Sequence, residues 1–293
     1  MQATMKAALI ALLLALPVTT QAASPEDTYI AARDRYIAKF KAAGEVNDTT
    51  AKQEEAARAD LEAKLRAMLG RIAVEGLPAD GNITLDTLFG GELGFGQLDA
   101  LSFQANDDGP RLLVTTPSLA KRWLVAHAKS FGSDNDVPQD LAAALKSEPF
   151  YTQAMSQDAA VFRFADIPLA KPANASLVNA MLVARRQDIG LATPDELFIA
   201  VLRADRVFIW TAPTTAKAAI NPVCEKVWND AAARADKAAA EFKKSDPKDD
   251  NPSERILQEG DDAFRRCFAE RAPTEPYFGA LTKQAQELLD KLK

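Results

Sequence analysis

The chain has 293 residues, 47% of them hydrophobic, and carries 35 Lys and Arg against 41 Asp and Glu, a formal charge of -6. That length allows a substantial core, in one large domain or two small ones. No Lys/Arg run exceeds a pair, so the concentrated basic footprint that nucleic-acid binding requires is missing, and a nucleic-acid partner is excluded as an expectation.

Residues 1–23 read as a secretory signal peptide. A weakly positive end at Lys6 precedes the apolar run "AALIALLLALPV" and the small residues Thr20, Ala22 and Ala23. The run is too short for a permanent anchor, and no later stretch approaches the 18 or so apolar residues of a membrane span. A soluble periplasmic or secreted protein with no permanent membrane anchor is expected, its mature part being a single domain over 24–293. Sequons at Asn47, Asn82 and Asn174 would matter only in a glycosylating host.

The predicted fold class is α+β, a mostly antiparallel central sheet covered by N-terminal helices and a disulfide-stapled C-terminal helical hairpin. In the N-terminal helical region, 24–76, Ser24, Pro25 and Asp27 form a helix entrance. Tyr29, Ile30, Ile37 and Phe40 follow at near-helical spacing. A second helix is predicted from about Thr50 to Glu75, burying Leu61, Leu65, Met68, Leu69 and Ile72. The short loop between the two makes them antiparallel neighbours.

The strand-rich centre covers 80–215. "GGELGFG" has neither dinucleotide spacing nor the lysine-plus-hydroxyl ending of a phosphate loop, and reads as bends or bulges. "LDALSFQ" and "RLLVTT" are predicted strands around the turn "ANDDGP". A helix is expected from Ser118 as its cap, carrying Leu119, Trp123, Ala126 and His127, and a short one over "PQDLAAALKS". "AAVFRFADIPL" reads as a strand, with Phe162 and Phe164 on one face and Val161, Arg163 and Ala165 on the other, and "SLVNAMLVARRQ" as its partner. Thr193, Pro194 and Glu196 resemble a helix capping box, so a short helix or turn is expected there before a strand at Val207–Thr211.

The C-terminal helical region, 221–293, opens at Asn221 and Pro222 and continues in alanine-rich periodicity. A second arm opens at Asn251, Pro252 and Glu254 beyond the polar loop "SDPKDD". This places Cys224 and Cys267, the two cysteines of the chain, at the same end of an antiparallel pair, so a structural disulfide Cys224–Cys267 is expected in an oxidising compartment. No CxxC spacing supplies a redox pair. Phe278, Leu281, Ala285, Leu288 and Leu292 define a last amphipathic helix.

Catalytic patterns are sparse. Ser118 and Lys121 form S-x-x-K, and Ser133 to Asn135 read "SDN". These fragments look like pieces of the penicillin-recognising serine enzymes. Only 11 residues separate Lys121 from Ser133 and no K-T-G-like strand follows, so the comparison does not carry. His127, the sole histidine, cannot build a His-rich zinc site. The Asp pairs at 107, 249 and 261 fall in polar turns or on a charged helix face. No catalytic, cofactor-binding or metal-binding residue is assigned, and no cofactor is expected. The expected function is an exported non-enzymatic binding protein for a protein or small-ligand partner. The alternatives are a cell-envelope hydrolase with a dispersed active site and a structural assembly component.

Overall fold

A computed structural model describes residues 22–41, 48–70, 101–104, 111–122, 140–147, 151, 161–185, 193–243 and 251–292. The expected signal peptide, "GGELGFG", His127 and Ser133–Asn135 lie outside the described residues, apart from Ala22 and Ala23 at the leader's end.

The fold is α+β with a six-stranded antiparallel sheet in the order β1-β2-β6-β5-β4-β3. The strands are β1 (Leu101–Gln104), β2 (Arg111–Thr115), β3 (Val161–Asp166), β4 (Ala175–Arg185), β5 (Glu196–Arg203) and β6 (Val207–Pro213). Among the described residues, two α-helices precede it, α1 (Pro25–Tyr36) and α2 (Asp48–Leu69), the short α3 (Leu141–Ala144) lies within the strand region, and three follow it: α4 (Pro222–Phe242), α5 (Pro252–Arg271) and α6 (Pro276–Asp290).

The middle strands explain themselves by two-sided burial. On β5, Leu197, Ile199 and Val201 face one core, while Phe198 and Ala200 face the other. On β6, Phe208, Trp210 and Ala212 join the first core, and Val207 and Ile209 the second. A strand covered on both faces reads as an unbroken apolar run. That is why "ELFIAVLR" forms a strand, contrary to the expected helix or turn at Thr193–Glu196. The residues that resembled a capping box lead into β5, and backbone pairing with β4 and β6 overrides local helix-start chemistry.

The first face is covered by the N- and C-terminal helices. Tyr29, Ala32 and Tyr36 of α1, Leu61, Leu65 and Leu69 of α2, Phe264 and Phe268 of α5, and Phe278 and Leu281 of α6 are all in this core. The opposite face is covered from within the strand region, by Ala120, Ala144, Leu145 and Tyr151. There, buried Asn179 of β4 donates from Nδ2 to the Tyr151 hydroxyl at 2.8 Å and to the Leu145 carbonyl at 3.2 Å. The Tyr151 ring meets Phe198 edge-on at 4.6 Å.

Helix ends follow local chemistry. Ser24 and Asp27 close a reciprocal capping box at α1, with Ser24 Oγ accepting from the Asp27 amide at 3.0 Å. A π-helical turn, Ile37–Lys41, extends α1. Helix α2 ends at Leu69, six residues before the expected Glu75, because Gly70 adopts φ +64°, a left-handed stop suited to glycine. The Arg206 guanidinium lies against Gly70, bringing a cation to the negative end of α2. Ser118 is not a cap. The helix opens at Pro117, and Thr116 Oγ1 accepts from the Leu119 amide at 3.3 Å. The same hydroxyl donates to Glu26 at 3.2 Å, which ties the end of β2 to α1. On β3 a bulge between Arg163 and Ala165 interrupts the expected alternation, so Phe164 and Ala165 both enter the first core.

The hairpin α4–α5 is mounted on edge strand β3. Phe268 meets Phe164 edge-on at 4.8 Å, Phe264 meets it at 6.0 Å, and the Arg265 guanidinium stacks 3.7 Å over Phe162. Cys224 of α4 and Cys267 of α5 are joined by the expected disulfide, 43 positions apart in sequence. By loop-closure entropy this cross-link contributes about 4 kcal/mol. Helix α6 is pinned across the sheet end: Gln284 accepts from the Thr215 amide at 2.8 Å and donates to the Pro213 carbonyl at 2.8 Å, and Gln286 accepts from the Ala170 amide at 3.0 Å.

Helices α4 and α5 come into close contact at Gly260, where an added Cβ would collide with the Ala231 Cβ. Gly260→Ala should lower stability by about 1–3 kcal/mol through overpacking. Ala231→Gly should recover part of that loss when combined with it. Equal losses from Gly260→Ala in both backgrounds, measured by urea unfolding, would contradict this contact.

Candidate functional site

Ser118 and Lys121 of the S-x-x-K pattern are both exposed in the first turns of the helix that Thr116 caps. Nothing in the described structure joins them to a third group. Asp261 is engaged by Arg265 at 2.5 Å, an i,i+4 pair on α5, and Asp262 is exposed. Among the described residues, no group of three or more His, Cys, Asp or Glu side chains is placed to hold a metal ion.

The unusual groups collect instead at the base of the hairpin, where α4 and α6 begin side by side. Asn221 caps α4 by accepting from the Val223 amide at 2.9 Å through Oδ1. Its Nδ2 donates to Glu275 Oε1 at 2.5 Å. Glu275 stands at the amino end of α6 without capping it by a side-chain hydrogen bond. Its carboxylate is thus held at the positive ends of both α4 and α6, where a negative charge is stabilised.

Tyr277 follows Glu275 in the first turn of α6. Its phenol is pushed up to about 12, first by burial and second by the Glu275 carboxylate. The hydroxyl oxygen is buried and makes no hydrogen bond. The phenol is therefore protonated and neutral near pH 7. In the first turn of α4, the disulfide closes the same corner. Beside it is Val223, 51% exposed and the one large hydrophobic side chain that stands out from the surface of the described residues.

Of this corner, the sequence reading located Asn221, Cys224 and Cys267 and missed Val223, Glu275 and Tyr277. "TEPYF" did carry a signal, an acid directly before a proline-led helix. The bond from Glu275 to Asn221 spans 54 positions and leaves no local trace.

Comparison with protein-family models, with curated proteins and with solved structures finds no match to this chain. No helix among the described residues is long and apolar enough to cross a membrane.

The Tyr277 shift has a definite sign. Because the folded-state value lies above the ordinary 10.0, its contribution is complete below about pH 10 and is lost as pH rises toward 12. Tyr277→Phe should be close to neutral in stability at pH 7, since it removes an unpaired buried hydroxyl. It should also flatten the alkaline fall in the urea midpoint. Parallel alkaline profiles for the wild type and Tyr277→Phe would contradict this.

Proposed function

We propose that this chain is an exported, non-enzymatic protein that acts by stoichiometric binding of a protein partner, with the hairpin α4–α5 as the contact element. The observation that carries this reading is the way the hairpin is presented. Helix α5 is fastened to β3 by its aromatic residues, and α4 rides outside it, clamped at one end by the disulfide. A 21-residue helix held this way offers a long, preorganised face without the ordering cost of a flexible segment.

That face is polar and carries charges of both signs. Glu225, Lys226, Asn229, Asp230, Ala233 and Asp236 are exposed along it, and Lys226 pairs with Asp230 at 2.6 Å. A face of this composition fits a partner recognised by matched polar contacts around a small apolar anchor, for which Val223 is placed.

A photo-crosslinker at exposed Ala233 should capture a partner at a fixed ratio, whereas one at exposed Ala173, in the turn between β3 and β4, should not. Ser118→Ala should leave that capture unchanged. Capture at Ala173 alone, or multiple turnover of a cell-envelope substrate that Ser118→Ala abolishes with folding intact, would overturn the proposal.

A further inference from the structure

We propose that the Cys224–Cys267 bond is a reducible latch on α4. Breaking it releases α4 from α5 while the sheet and its remaining helical cover stay folded. This inference stands apart from the choice of partner.

The layering supplies the first argument. Helix α4 packs principally on α5, and α5 in turn packs on β3, so α4 is an outer layer. Its fully buried residues are Cys224, Ala231 and Ala235. Apart from the half-cystine, its sealed contact is two methyl groups. Half-buried Trp228, packed against the core, and half-buried Val227, Ala232, Ala238, Ala239 and Phe242 add to it. Helix α5 seals Phe264 and Phe268, and α6 seals Phe278, Leu281, Leu288 and Leu289. Apolar stabilisation scales with the area removed from water, so α4 is the least firmly docked of the three C-terminal helices.

At the first turn of α4 the disulfide is joined by the Asn221–Glu275 hydrogen bond and the segment leading in from β6. These hold the start of the helix, and beyond it α4 rests on the alanine contact and on half-buried Val227, Trp228 and Phe242. Low local stability of this kind produces sub-global opening, in which one element detaches without the rest.

Cys267 is half-buried rather than sealed, which leaves a route for exchange. A thiolate of an external dithiol attacks one sulfur of the bond and forms a mixed disulfide, releasing the other cysteine as a thiol. The second thiol of the reductant then displaces the remaining cysteine. The dithiol leaves as a disulfide, and Cys224 and Cys267 each gain a proton and an electron.

Hydrogen exchange on the full chain, oxidised and then reduced with dithiothreitol, tests this. Amides of Val223–Phe242 should exchange about tenfold faster or more on reduction, while those of β4, β5 and β6 stay within about twofold. The double variant Cys224→Ala, Cys267→Ala should reproduce the reduced pattern without reductant. Unchanged protection in α4, or acceleration of helix and sheet together, overturns the latch.

Discussion

The burial of β5 and β6 on both faces is the constraint from which the rest of the architecture follows. Alternate residues of these strands enter separate cores, so two independent covers are needed. The terminal helices form one cover, and the strand region folds back through Ala144, Leu145 and Tyr151 to form the other. A one-residue slip of either strand would exchange Trp210 and Phe208 with Ile209 and Val207, and both covers would lose their fit at once.

From that sheet the C-terminal half builds outward in steps of decreasing apolar contact. Phe164 gives α5 an aromatic seat on β3, Gly260 lets α4 come close to α5, and the disulfide clamps the start of α4. The polar clasp of Asn221 with Glu275 completes the corner by placing one carboxylate at two helix starts. Binding, rather than chemistry, is the use we propose for this arrangement.

Much of the fold was legible because its signals are local. Asn-Pro and Ser-Pro starts marked α1, α4 and α5, and the even pair of cysteines at matching helix positions marked the staple. The strands β1 and β2 and the partnership of β3 with β4 were likewise readable from short segments. The failures came where distant contacts decide. Thr116 takes the cap from Ser118 because Glu26 also engages its hydroxyl. Thr193–Glu196 leads into a strand because β4 and β6 flank it. Arg206, 136 positions beyond Gly70, sits against the end of α2. The corner of Glu275 and Tyr277 was illegible for the same reason, since its meaning depends on two helices beginning side by side.

The sheet order itself is open to direct observation. Solution NMR of the deuterated chain should show cross-strand NOEs from Trp210 to both Ile199 and Leu112, which places β6 between β5 and β2 in antiparallel register. NOEs that instead seat β2 against β3, or that require β6 to run parallel to β5, would contradict the two-sided central sheet on which the account rests.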